Sequence, residues 1–247
     1  MPENLLLLDL DNTLWDFDGN AEEALAELFH RHQLHLKSNA GVHDFIEKYK
    51  VINKHYWQLY ENGEVSKEIL RSARFTDTFV ELGIPETEHP ENVWEEYLDV
   101  CPVMTRMMPG AEAFLSEITP HFDLFLITNG FEKTQRTKIK HSGIEKHIKG
   151  MLTSEAAGVV KPDPGIFSMA IELYTSNAAA APIKIFYAGD TWESDIKGGI
   201  SAGIPTLWYN HSAADLPTDE FSRDHLFLGS FTSLSALSGK LLEQVLQ

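Results

Sequence analysis

The stretch Leu5-Leu6-Leu7-Leu8-Asp9-Leu10-Asp11-Asn12-Thr13 decides how the rest of the chain is read. A short continuous apolar run that stops at carboxylates fits a strand buried on both faces of a parallel sheet. In open α/β sheets, ligands bind outside the carboxyl ends of the strands, so Asp9 and Asp11 stand where a crevice is expected. One of the two can serve as a nucleophile and the other as an acid/base. By itself the triplet also suits a turn or a helix cap, so the other strands have to decide.

Similar runs recur at Leu124 to Thr128, Met151 to Ser154, Ile185 to Gly189 and Pro205 to Tyr209. Helical stretches lie between them at Glu132 to His141, Pro164 to Tyr174 and Ser194 to Ala202, and an amphipathic helix is expected from Leu234 to Leu246. That alternation reads as βαβ units and predicts an α/β fold with a parallel sheet. Residues 15–101 differ. Ala21 to His32, Val42 to Glu61 and Lys67 to Leu82 carry apolar residues at helical spacing, punctuated by Gly63 and Gly83-Ile84-Pro85. They read as an inserted all-helical domain, which leaves residues 1–14 and 102–247 for the sheet.

Composition narrows the function classes. The 247 residues are 43% hydrophobic and 23% charged, as in an ordinary folded chain, and the formal net charge is −17. That sign opposes binding to a nucleic-acid polymer, which is gripped through clustered Lys and Arg. Residues 15–101 hold 8 Lys+Arg against 18 Asp+Glu, so most of the acidic excess sits in the insert. No run approaches the roughly 20 apolar residues of a membrane-spanning helix. Met1-Pro2-Glu3-Asn4 lacks the basic start of a signal peptide, and the single cysteine, Cys101, reads as a linker residue suited to a reducing cytoplasm. The histidines of His30-Arg31-His32-Gln33-Leu34-His35 read as the cationic end of a helix.

Three further groups close predicted strands. Thr128-Asn129-Gly130 offers a hydroxyl and backbone N–H groups to an anion. Lys161-Pro162-Asp163-Pro164 places one ammonium at the same end of the sheet. Gly189-Asp190-Thr191-Trp192-Glu193-Ser194-Asp195 adds two acids, the hard oxygen ligands that Mg²⁺ requires. Each is ordinary alone; four in fixed order, each at a strand's carboxyl end, form a joint signal.

This order resembles the haloacid dehalogenase (HAD) superfamily of aspartate-nucleophile phosphohydrolases, over nearly the whole chain. That resemblance implies a Rossmann-like core with helices on both faces of its sheet over residues 1–14 and 102–247, with a helical cap inserted after the first motif. The resemblance implies that Asp9 attacks phosphorus and that Asp11 protonates the leaving oxygen before activating water. It implies that Thr128, Asn129 and Lys161 bind the phosphoryl group. Magnesium would be held by Asp9, the backbone carbonyl of Asp11 and Asp190, with Asp195 in an outer shell or bound through water. Dehalogenases of the superfamily lack the second aspartate, so Asp11 and Thr13 favour phosphoryl transfer. A phosphomutase is disfavoured by the run Asp11-Asn12-Thr13-Leu14-Trp15-Asp16-Phe17, and a phospho-acceptor signalling module by Asp11 and the large insert.

In the insert, which the resemblance makes a cap, Asn53, Trp57 and Tyr60 fall on one helical face, followed by Arg71, Arg74 and Phe75. By spacing alone this is also a packing stripe. The order Asn-Lys-x-x-Trp-x-x-Tyr-x-Asn-Gly, then Arg-x-x-Arg-Phe, together with Ile127-Thr128-Asn129-Gly130-Phe131, resembles the noncanonical pyrimidine 5′-nucleotidase branch. The expected substrate is a small phosphorylated metabolite, a nucleoside monophosphate first and a sugar phosphate as the alternative.

Overall fold

The computed structural model describes residues 3–178 and 180–246. Met1, Pro2 and Gln247, at the ends of the expected sheet domain, and Ala179 lie outside the described residues. The chain divides into two compact units, Met1–Phe17 with Thr105–Gln247, and Asp18–Met104. Each boundary lies three residues beyond the one read from sequence.

The first unit is built on six parallel strands: β1 (Asn4–Leu8), β2 (Phe122–Thr128), β3 (Ile148–Thr153), β4 (Lys184–Gly189), β5 (Thr206–Tyr209) and β6 (Phe227–Phe231). Their order in the sheet is β3-β2-β1-β4-β5-β6. Leu5, Leu6, Leu7 and Leu8 are fully buried, as a central strand covered on both faces demands. Burial of each contributes about 1.5–3 kcal/mol. Leu8 pairs with Leu126 on one side and Ala188 on the other, so the ends of β1, β2 and β4 come level. The strand order turns back between β1 and β4, which is where such sheets open a ligand crevice.

The second unit contains α1 (Phe17–Arg31, whose first residue belongs to the sheet unit), α2 (Val42–Glu61), α3 (Lys67–Glu81) and α4 (Val93–Val100). Its core is aromatic. Phe45 stacks on Phe79 at 6.1 Å between ring centroids, and Tyr49 meets Phe75 at 4.8 Å. Cys101, expected in a linker, is buried in this unit, in a short turn after α4.

The sheet unit's helices are α5 (Ala111–Ile118), α6 (Glu132–Ser142), α7 (Ser154–Ala157), α8 (Pro164–Asn177), α9 (Lys197–Ser201) and α10 (Leu234–Val245). On one face, Ile166, Phe167 and Ala170 of α8 pack with Leu5, Leu7, Phe125, Ile127 and Tyr187. α5 and α10 pack against each other, and α10 also meets β5 and β6. The helix expected from Ser194 to Ala202 is two pieces: a π-helical turn over Trp192–Ile196 and then α9. Thr191 explains the break, because its carbonyl accepts from the N–H of both Asp195 and Ile196 while its own N–H donates to the Asp195 carboxylate.

Candidate active site

β1 delivers Asp9 to the carboxyl end of the sheet, and the backbone then turns sharply. The N–H groups of Leu14 and Trp15 both donate to the Leu10 carbonyl, and Asn12 adopts a left-handed φ of 56°. Asn tolerates that conformation better than most side chains. The turn brings Asp11 and Trp15 back beside each other.

Beneath Asp9 lies a buried polar group. Lys161 Nζ donates to Asp9 Oδ1 at 2.6 Å and to Asp195 Oδ1 at 2.6 Å, and the Tyr187 hydroxyl donates to the same Asp195 oxygen at 2.6 Å. The other Asp195 oxygen accepts from Thr191 N–H at 2.9 Å. Lys161 is 3% exposed and Asp195 1%, so both are cut off from water. Gly189 makes the approach possible, since a Cβ there would lie 2.5 Å from the Asp195 carboxylate. Asp9, Asp190 and Asp195 each present an oxygen within 4.8 Å of the others.

Three carboxylates thus share one ammonium. Burial pushes the Asp9 carboxyl up to about 7, with Lys161 pulling it down and the charges of Asp195 and Asp11 adding to the rise. Burial, then the charges of Asp195 and Asp9, holds Asp190 well above the usual carboxylate range. Burial opposes the charge on Lys161, yet Asp195 and Asp9 outweigh it and raise its affinity for the proton. The cluster carries more negative charge than it can settle internally, and its hard oxygen donors fit a divalent cation such as Mg²⁺.

β2 supplies Thr128, whose hydroxyl oxygen accepts from Gly130 N–H at 3.0 Å and from Gln135 Nε2 at 2.7 Å. With two donors on its oxygen, its own O–H is the part left to donate to an anion. Asn129 follows Thr128 directly in the chain. Its side chain accepts from Lys161 N–H at 2.8 Å and donates to the Lys161 carbonyl at 3.1 Å, which fixes the segment carrying the lysine. Thr13, fully buried, donates to Asp190 at 3.4 Å.

A profile for haloacid dehalogenase-like hydrolases matches residues 4–203, a span that contains every strand-end group just described. The chain belongs to the haloacid dehalogenase-like hydrolase family. It is 30% identical over 212 residues to the pyrimidine 5′-nucleotidase YjjG of Escherichia coli (strain K12), covering 86% of this chain and 88% of that protein. It is 30% identical over 206 residues to the pyrimidine 5′-nucleotidase PynA of Streptococcus pneumoniae, with 83% of each chain covered. Among solved structures, the orthorhombic form of YfnB from Bacillus subtilis, bound to magnesium, superposes with a TM-score of 0.80 at 26% identity, covering 98% of this chain and 99% of the other.

Two residues of this HAD-family site escaped the sequence reading. Gln135 and Lys138 lie on α6, three positions apart and therefore on one face, and both bind the Asp11 carboxylate. The signal was present in the sequence as a helix following Thr128-Asn129-Gly130, but nothing in its polar composition singled out these two side chains. Tyr187 likewise carries no sequence signal beyond that of a buried strand.

In the helical unit, the substrate-selecting candidates fall into two groups. Arg74, 4% exposed, donates to Asn53 Oδ1 at 2.8 Å and lies over the rings of Tyr49, Phe75 and Tyr97 at 5.3–5.7 Å. Trp57 and Tyr60 meet edge to face at 5.9 Å, half-buried, as is Arg71. Among the described residues no helix is long and apolar enough to cross a membrane.

Proposed function

We propose that this hydrolase is a Mg²⁺-dependent phosphomonoesterase that works through an aspartyl-phosphate and acts on nucleoside 5′-monophosphates, pyrimidine ones foremost. The observation that carries the reading is a buried carboxylate bonded to a lysine, with a second, partly exposed aspartate two residues further along the same turn. The nucleotidase half rests on the names of the two relatives that match over most of their length.

In this scheme an Asp9 oxygen attacks phosphorus while the bond to the ester oxygen breaks, and Asp11 gives that oxygen its proton. Asp11 then takes a proton from water as the water attacks the aspartyl-phosphate, releasing inorganic phosphate and restoring Asp9. Thr128 donates to a phosphoryl oxygen, and Lys161 orients Asp9 and offsets its charge. Asp9, the carbonyl of Asp11 and Asp190 would hold the ion, with Asp195, whose two oxygens already accept protein hydrogen bonds, behind them. When bound, Mg²⁺ supplies positive charge that reduces repulsion between Asp9 and the phosphoryl group.

The helical unit we assign to choosing the leaving group. Trp57 and Tyr60, half-buried, offer ring faces on which a base can stack, while the buried Asn53–Arg74 pair holds α2 to α3.

Phosphate release from a panel of nucleoside and sugar monophosphates, with Mg²⁺ present, tests the proposal. Pyrimidine monophosphates should lead the panel and Asp9→Asn should abolish turnover. A sugar phosphate at the head of the panel would overturn the nucleotidase assignment, and full turnover in Asp9→Asn would overturn the mechanism.

A further inference from the structure

Lys138 is a buried cation with a costly address. Its side chain is 5% exposed, although it sits on a helix that has solvent-facing positions to offer. An ammonium taken from water must be compensated by a partner charge and hydrogen bonds, and replacing such a pair as a whole by apolar residues of similar volume is often neutral or stabilising. Its Nζ donates to both oxygens of Asp11, Oδ1 at 2.7 Å and Oδ2 at 2.9 Å. The same nitrogen lies 4.5 Å from the centroid of Trp15 and 5.2 Å from that of Phe17. Two ring faces and a carboxylate therefore hold the ammonium in one place.

Gln135, fully buried, adds a second donor. Its Nε2 reaches Asp11 Oδ2 at 2.9 Å and Thr128 Oγ1 at 2.7 Å, tying the second aspartate to the phosphate-side hydroxyl. The backbone makes room for it, because a Cβ on Gly130 would lie 2.3 Å from that nitrogen. A carboxylate held at both oxygens by groups on one rigid helix cannot swing about its side-chain torsions. At 28% side-chain exposure it keeps a face open to a reacting partner.

We propose that Lys138, assisted by Gln135, is a positioning residue that locks the Asp11 carboxylate in the orientation from which it hands a proton to the departing ester oxygen. This rests on the reading of Asp11 as the general acid/base. Such a group must lie within hydrogen-bond reach of the proton's destination, and positioned acid/base catalysis contributes about 10²–10⁴-fold. A lysine that only stapled α6 to the turn after β1 would act on folding and affect all substrates alike.

The discriminating experiment varies the leaving group. Lys138→Met, Lys138→Arg and Asp11→Asn are assayed with Mg²⁺ on a nucleoside monophosphate, whose alkoxide needs a proton, and on p-nitrophenyl phosphate, whose phenolate leaves without one. For Lys138→Met, kcat on the nucleotide should fall by about 10²-fold with KM little changed, while formation of the phosphoenzyme from the aryl ester should fall only a few-fold. Arg should restore part of the loss, and combining Lys138→Met with Asp11→Asn should add little to Asp11→Asn alone. Gln135→Met, which retains the ammonium, should show the same selectivity at smaller amplitude and serves if Lys138→Met does not fold. Equal losses on both esters in a folded variant would overturn the role of Lys138. An Asp11→Asn variant without leaving-group dependence would overturn the reading of Asp11 instead, and the proposal with it.

Discussion

Lys161 and Lys138 are both buried, and each is bonded to one of the two aspartates after β1, yet the regions around them solve opposite problems. Below Asp9, one ammonium serves three carboxylates, with Tyr187 donating from underneath. Beside Asp11, one ammonium faces one carboxylate and two aromatic rings. The floor carries unsettled negative charge and calls for a cation from outside; the flank is neutral as it stands. A single turn of chain separates three crowded carboxylates from a carboxylate bonded at both oxygens.

The comparison breaks most visibly at Lys161. Lys161→Met leaves Asp9 and Asp195 without the ammonium bonded to both, and Asp190 without that charge, so turnover should fall below detection. Loss of one member of a buried ion pair costs about 3–5 kcal/mol, and that loss should appear as a lower melting temperature in metal-free protein at pH 8. If the variant is as stable as the parent under those conditions, the floor is not charge-frustrated.

A second expectation follows from the raised Asp9. Its carboxyl is pushed from 3.8 to about 7, so between those values the folded state keeps a proton that the unfolded chain releases. Stability from this group is therefore greatest below about pH 4 and is lost as pH rises, at no more than about 1.4 kcal/mol per pH unit, until the folded group ionises near pH 7. Asp190, shifted in the same direction, adds to the trend. Metal-free protein should melt at progressively lower temperature from pH 5 to pH 8, and millimolar Mg²⁺ should raise the melting temperature strongly at pH 8 and weakly at pH 5. A Mg²⁺ shift of equal size at both values would refute a cation-receiving floor.

The floor was legible in the sequence to a degree the flank was not, and the reason is geometric. Asp9, Thr128 and Asp190 all stand at the ends of apolar runs, and the ends of neighbouring parallel strands come level by hydrogen-bond register alone, while Lys161 comes later, after β3 and α7. Gln135 and Lys138 reach the site from the middle of a helix, and α6 buries a glutamine and a lysine where amphipathic patterning expects apolar residues. β6 escaped for a related reason: Gly229 and Ser230 interrupt an edge strand that is only half-buried. The π-turn at Trp192–Ile196 depends on the carboxylate of Asp195 folding back to Thr191, a contact that periodicity does not encode. In the insert, spacing put Asn53 on a face with Trp57 and Tyr60; the Asn53–Arg74 hydrogen bond joins that face to α3, a pairing that only tertiary structure reveals.

The smallest expected effect separates the two regions most cleanly. In Gly130→Ala the new methyl would lie 2.3 Å from Gln135 Nε2 and 2.9 Å from its Cγ, too close to coexist with either. Gln135 is a flexible side chain, so it should yield rather than the backbone, giving up its bonds to Asp11 and Thr128. The cost in stability should be about 1–3 kcal/mol, that of leaving buried polar groups without partners, and kcat on a nucleotide should fall roughly tenfold. Lys138 still holds Asp11 by both oxygens, which is why the loss stays below that of Lys138→Met. None of the moved atoms touches Lys161, Asp190 or Asp195, so the rise in melting temperature that Mg²⁺ gives at pH 8 should equal the parent's. A diminished rise would mean that floor and flank are one coupled network, and that the tie from Gln135 to Thr128 carries strain from one to the other.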